Sequence, residues 1–210
     1  MLSLFNNIGK LKIATVAKIA TSIILKIRIL VLILFSSFAF PNNIISNELG
    51  WNYLKEGGYY VFIRHALAPG NGDPVNFDLN KCSTQRNLSQ ECIDQSIRIV
   101  EEFKNKDIPI SRVLTSQWCR CKDTAFYAFN DYMEFPDLNS TYSSRFKQNQ
   151  SDQILSLINY INNTDLKKNN EIFVTHYVII GALTDYYPDS AEIVITDQNL
   201  NVISTIKSVF

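Results

Sequence analysis

The chain has 210 residues, of which 46% are hydrophobic and 19% charged, with twenty basic and twenty acidic side chains. That length suits one domain of ordinary size with a short extra segment, and the composition excludes a disordered chain, a low-complexity tract or a repeat array. The zero net charge conceals an asymmetry: residues 1–47 hold Lys10, Lys12, Lys18, Lys26 and Arg28 and no acidic residue, so fifteen basic face twenty acidic residues beyond and no basic surface for nucleic acid remains.

After Arg28 runs ILVLILFSSFAF, twelve mostly apolar residues. This is short of the roughly 20 that cross a bilayer and matches the core of about 7 to 15 in a signal peptide. Ser37 and Ala39 are small residues at the offsets for cleavage after Ala39. Residues 1–40 therefore read as a signal peptide or as an uncleaved membrane anchor in which Lys26 and Arg28 snorkel; an organellar transit segment is the third alternative. With a signal peptide or an anchor, the folded part, residues 48–210, is expected outside the cytoplasm, exported or periplasmic, with membrane attachment if the segment is retained.

Beyond it, β-branched and aromatic runs predict strands at 59–65 (YYVFIRH), 111–116 (SRVLTS), 171–176 (EIFVTH), 191–196 (AEIVIT) and 201–207 (NVISTIK). Helices are predicted between them. Ser89 caps one whose Ile93, Ile97 and Val100 share a face; residues 117–130 and 177–185 form two more; Ser151 caps a fourth with Ile154, Leu155, Ile158 and Ile161 inward. Strands alternating with helices predict an α/β fold, a three-layer domain with a mostly parallel central sheet flanked by helices. The polar segments 66–88 and 131–150 exceed the roughly 12 to 15 residues of ordinary loops and read as walls of a site.

The chain has only two histidines, and each ends an apolar strand: His65 in VFIRHALAPG and His176 in IFVTHYVIIG. Ligands of open α/β sheets bind beyond the carboxyl ends of strands, so if these strands are neighbours both imidazoles enter one crevice. Arg64 arrives with His65. The strand ending at Ser116 opens the helix that carries Arg120, and Arg86 in CSTQRNLS is a further candidate ligand. Two histidines among arginines repel one another unless an anion sits between them, and guanidinium forks match phosphoryl oxygens. A neutral imidazole attacks phosphorus while a second, protonated, steadies the developing charge. The chemistry calls for no metal and no cofactor. The four cysteines, Cys82, Cys92, Cys119 and Cys121, have no zinc-site spacing, and a bridge between the Cys119 and Cys121 pair and the Cys82 and Cys92 segment stays open.

IRHA, SQWCRCKDTA and VTHYVIIGALT together resemble the histidine phosphatase superfamily, which contains phosphoglycerate mutases and phosphohistidine phosphatases, over roughly residues 50–196. The resemblance implies that His65 is the nucleophile that becomes phosphohistidine, and that Arg64, Arg120 and His176 hold the phosphoryl group; Ser116, in the same motif as Arg120, is expected as a further phosphate ligand. It implies a phosphatase acting on a small phosphorylated compound or a phosphoryl-protein. The mutase branch has a glutamate general acid where PDLNSTY places Ser140, so mutase activity is not expected. Asp73, Glu134, Asp137 and Glu192 border the expected crevice, and Glu192 is the first candidate for a replacement acid. Two-histidine phosphodiesterases need a hydroxyl residue two positions after each histidine, and HAL and HYV lack it. The competing reading is an exported or anchored protein that binds phosphate or a phospho-ligand without turnover.

Overall fold

The computed structural model describes residues 42–207. The segment expected to be a signal peptide or anchor lies outside them; among the described residues no helix is long and apolar enough to cross a membrane. In chain order the elements are α1 (Asn42–Glu56), β1 (Tyr60–Arg64), α2 (Gln90–Asn105), β2 (Ile110–Thr115), α3 (Cys119–Phe129), β3 (Met133–Glu134), α4 (Ser144–Lys147), α5 (Gln150–Asn162), β4 (Asn170–Thr175), α6 (Tyr177–Thr184), β5 (Ile193–Thr196) and β6 (Val202–Ile206). Helix α1 was not predicted from the sequence.

The six strands form one sheet in the order β3-β2-β4-β1-β5-β6. The first four are mutually parallel; β5 runs antiparallel to β1, and β6 antiparallel to β5. Central strands covered on both faces read as continuous apolar runs, and β4 is buried at every position. Alternate residues of β1 divide between two cores. Val61 and Ile63 pack with Trp51 and Leu54 of α1, Ile99 and Phe103 of α2, and Ala125 and Ala128 of α3. Tyr60 and Phe62 face Leu157 and Ile161 of α5 and Ile179 and Ile180 of α6. The result is the three-layer α/β domain anticipated above.

The predicted face of α2 is rotated, while that of α5 holds at Ile161 and Ile154 and fails at Leu155. In α2 the buried residues are Cys92, Gln95, Ser96, Ile99 and Phe103, while Ile97 is exposed; in α5 they are Gln153, Leu157 and Ile161, while Leu155 is exposed. Each inward face holds a glutamine that binds a loop. Gln95 Oε1 accepts from Leu67 N–H at 3.1 Å, and Gln153 Nε2 donates to the carbonyl of Asn139 at 2.9 Å. Ser89 does stand at the start of α2, but its hydroxyl lies 3.0 Å from the Cys92 sulfur instead of capping the backbone; α5 starts at Gln150, after Asn149. The two long polar segments are less bare than predicted. The first holds a 3-10 turn at Cys82–Thr84 and the second another at Pro136–Leu138, with β3 and α4 on either side.

At the foot of the sheet, where β1 and β4 begin, Asn170 is fully buried. Its Nδ2 donates to the carbonyls of Leu54 (2.7 Å) and Pro109 (2.9 Å), and its Oδ1 accepts from Tyr59 N–H at 3.2 Å. Gly57, just past α1, has φ +71°, and a Cβ there would lie 2.0 Å from the Lys168 carbonyl oxygen, so the close approach of the two chain segments requires glycine. At the opposite end, Arg64 of β1 pairs with Thr175 of β4. His65 and His176 therefore leave the sheet side by side.

Candidate active site

His65 N–H donates to the Thr175 carbonyl at 2.9 Å, which extends the β1–β4 pairing by one residue. The two imidazole centroids are 5.3 Å apart. His65 Nδ1 sits 2.7 Å from the Ala66 carbonyl oxygen; a carbonyl only accepts, so Nδ1 carries the proton and Nε2 keeps its lone pair. That lone pair points at Arg120, whose Nε–H donates to it at 3.2 Å. Burial, then the Arg120 charge, hold the His65 pKa well below the ordinary 6.5.

Helix α3 is fixed to this strand end through Thr124, whose hydroxyl donates to the Arg120 carbonyl (2.7 Å) and accepts from Ala66 N–H (3.0 Å). Arg120 is itself buried. Its Nη1 and Nη2 meet the Asp73 carboxylate at 2.7 and 3.2 Å. Asp73 also accepts from Arg86 N–H (3.1 Å) and the Trp118 indole N–H (3.0 Å). Burial alone would raise this carboxyl, yet the Arg120 hydrogen bonds and charge, with those two donors, hold it below its usual value. It is a carboxylate with no proton to give.

His176 stands at the N-cap of α6. The Ser116 hydroxyl donates to Asn139 Oδ1 (3.1 Å) and accepts from Trp118 N–H (3.3 Å), and it lies 3.0 Å from His176 Nε2. With the hydroxyl hydrogen committed to Asn139, the remaining lone pair of Ser116 receives His176 Nε2–H. Ser116 was expected as a phosphate ligand; the structure buries it behind His176, where it orients the ring. The Cys121 sulfur lies 3.4 Å from the same nitrogen, and burial pushes its thiol up to about 12. Burial, then the charge of Arg120, also hold His176 well below 6.5, so without an anion the second imidazole is neutral rather than protonated as expected.

Arg64 donates through Nη1 to the Pro188 carbonyl at 2.9 Å and lies 5.0 Å from the Tyr177 ring centroid. Arg86 donates through Nη1 to the carbonyls of Ala68 and Gly70. Burial lowers both guanidinium pKa values, and the charge of Arg120 lowers them further. The Nε atoms of Arg64 and Arg86 are buried without a hydrogen-bond partner. The loop that carries Asp73 and Arg86 is bound to α3 by the Cys82–Cys119 disulfide and by Gln85 Oε1, which accepts from Cys119 N–H at 2.9 Å. Cys92 and Cys121 are free and buried.

These residues surround a cavity of about 590 Å3 lined by Arg64, His65, Arg86, Arg120, Ser140 and His176, with Asp73 the one acidic lining residue. Ser140, at the position of the mutase glutamate, accepts from Tyr142 N–H at 3.4 Å. The other carboxylates are engaged elsewhere. Glu192 accepts from the Tyr186 hydroxyl (2.6 Å) and Asp189 N–H (2.7 Å) and fixes the turn before β5; it is not among the lining residues. Glu134 pairs with Lys122, and Asp137 accepts from Ser156. Sequence reasoning named Asp73 only as one acid among four, and it missed Trp118 and Thr124 as partners of Arg120 and its carboxylate; a loop carboxylate and an indole N–H leave no periodic signal. Among the described residues no cluster of histidine, cysteine or carboxylate side chains is placed to hold a metal ion.

No protein-family model matches the sequence, and no curated protein matches it. Among solved structures, TTHB049 from Thermus thermophilus superposes with a TM-score of 0.51 at 14% identity, over 71% of this chain and 98% of its own. The protein histidine phosphatase SixA, in complex with tungstate, superposes with a TM-score of 0.50 at 15% identity, over 71% of this chain and 97% of its own. Likeness at that identity shows the fold alone: this chain shares the fold of TTHB049 and of the histidine phosphatase SixA.

Proposed function

We propose that the chain is a metal-independent phosphohydrolase that transfers the phosphoryl group of a small phosphorylated compound, or of a phosphoryl-protein, to His65 and then to water. One observation carries the reading: His65, its Nε2 lone pair held by the Arg120 Nε–H, lines a cavity together with Arg64, Arg86 and Arg120, and Arg64 and Arg86 each keep a buried Nε without a partner. Such a cluster attracts a tetrahedral oxyanion, and the same-fold SixA structure holds tungstate, an anion of that shape.

In the reaction, phosphoryl oxygens take over the Arg120 Nε–H and free the Nε2 lone pair. That pair forms the N–P bond as the bond from phosphorus to the leaving oxygen breaks, and the leaving oxygen keeps its electron pair. Nδ1–H stays on the Ala66 carbonyl, so the ring cannot flip away. Water then attacks phosphorus, the N–P pair returns to Nε2, and the proton of the water goes to the released phosphate. The approaching anion raises the pKa of neutral His176 and lets it donate.

With Asp73 held as a carboxylate and Ser140 in the place of a glutamate, no carboxylic acid at the cavity wall protonates the departing oxygen, and His176 is engaged with the phosphoryl oxygens. General acid catalysis ordinarily supplies about 10²- to 10⁴-fold, so preferred substrates are aryl phosphates, acyl phosphates or phosphoanhydrides, whose leaving oxygens are weakly basic, or phosphoramidates already protonated on the bridging group, whose nitrogen leaves as a neutral amine or imidazole. The disulfide fits an oxidising compartment and supports export through residues 1–40. The test is a plot of log kcat/KM against leaving-group pKa, with trapping of an acid-labile, alkali-stable label. A steep negative slope with label on His65 is expected. Phosphate binding without label or turnover would instead make the chain a binding protein.

A further inference from the structure

A guanidinium presents five N–H groups in one plane, with an end-on fork of Nη1 and Nη2 and a side edge of Nε and Nη2. In Arg120 the end-on fork is filled by the Asp73 carboxylate at 2.7 and 3.2 Å, while the side edge directs Nε–H at His65 Nε2, 3.2 Å away. Asp73 cannot swing, since the Trp118 indole N–H and Arg86 N–H hold its two oxygens at 3.0 and 3.1 Å. Its side chain is mostly buried.

We propose that Asp73 is a positioning residue for phosphoryl transfer: by filling the end-on fork of Arg120 it obliges the phosphoryl group to bind the side edge, beside the attacking nitrogen of His65. This rests on the reading of His65 as the nucleophile. Without the carboxylate the end-on fork is the more open grip for an anion, and phosphorus bound there is displaced from the line of Nε2. The same negative charge repels an incoming anion. Asp73 thus weakens ground-state binding while it speeds transfer, the opposite of what a passive strut does, since loss of a strut weakens both.

The test compares the full chain with Asp73→Asn, which keeps the shape, and Asp73→Ala. Inorganic phosphate affinity is measured by calorimetry, and His65 labelling by aryl phosphates is followed in single turnover. In Asp73→Ala, which vacates the end-on fork, labelling is expected to slow about 10²-fold, the loss typical of misplacing reactants by an ångström, while phosphate binds equally or several-fold more tightly; Asp73→Asn, which still occupies the fork but sets an NH2 group against N–H donors, should fall between it and the wild type. The loss should be the same for strongly and weakly basic leaving groups and should vanish in an Arg120→Ala background. Parallel losses of phosphate affinity and labelling would make Asp73 a strut. A loss confined to basic leaving groups would make it a general acid, and one that persists without Arg120 would remove the proposed route; each overturns the proposal. Unslowed Asp73→Ala beside a labelled wild type sinks the positioning role alone, whereas an unlabelled wild type sinks the phosphohistidine reading and the proposal with it.

Discussion

Strands β1 and β4 build both ends of the sheet, and the two ends are made on opposite terms. At the foot, Asn170 is buried with its donors and its acceptor matched to backbone groups of three separate segments. At the other end the same strands deliver Arg64, His65 and His176 into a region where two guanidinium Nε atoms are buried unpartnered and both imidazoles are held neutral. Polar groups at the foot close the fold, while those at the top are left in want of an anion. A buried polar group is stabilising only when its partner is present, so the top trades stability for binding.

The largest expected effect separates the ends cleanly. His65→Ala should lower turnover by about 10⁴-fold or more, as removal of a covalent nucleophile does, and should abolish the trapped label. Its melting temperature should hold or rise, because a desolvated imidazole beside Arg120 is gone. Label at wild-type level in that variant would move the nucleophile elsewhere.

The Cys82–Cys119 bridge closes a loop over a sequence separation of 37 and is the covalent tie, among the described residues, between the loop of Asp73 and Arg86 and helix α3. In the chain-entropy picture its loss costs roughly 3 to 4 kcal/mol. Reduction, or Cys82→Ser, should therefore lower the melting temperature and also raise KM, since the loop carries Arg86 and Asp73. A reduced protein with unchanged KM would show that the loop is held without the bridge.

At the foot, Asn170→Ala leaves the Tyr59 N–H without its acceptor and takes one donor each from the carbonyls of Leu54 and Pro109, which keep the N–H groups of Gly57 and of residue 170, and should destabilise by roughly 1 to 3 kcal/mol. Activity per folded molecule should stay the same. A change in kcat measured well below the melting temperature would erase the distinction between the two ends.

The smallest effect is a matter of sign. Both histidine pKa values are depressed on folding, so the unfolded chain binds more protons below pH 6.5. Stability is then complete above about 6.5 and falls as the pH drops below it, by up to roughly 1.4 kcal/mol per pH unit for each imidazole. Inorganic phosphate, which favours the charged rings, should flatten that fall. Melting curves between about pH 8 and 5 check both statements, and a rise on acidification would mean that the histidines are charged in the folded protein.

The strands and the two histidines were legible because each rests on a local signal, an apolar run closed by a polar residue. The helix face of α2, and part of that of α5, were not, because Gln95 and Gln153 occupy inward positions that periodicity assigns to apolar side chains, where each binds a loop. Ser116 was placed in the right neighbourhood, but whether a hydroxyl meets a ligand or a histidine depends on Asn139, 23 residues away along the chain. Asp73 needed three partners from distant segments before its place beside Arg120 had any meaning.

Trp118 lies 5.5 Å from His176, centroid to centroid, stacks at 5.1 Å on Phe77, and donates its indole N–H to Asp73. The only other tryptophan, Trp51, is packed edge-on against Phe103 between α1 and α2. Indole emission responds to nearby charge and to loss of the N–H bond, so the protein carries its own optical reporter. With Trp51→Phe, the remaining fluorescence would follow arrival of an anion and phosphorylation of His65 in real time, with no dye and no coupled assay.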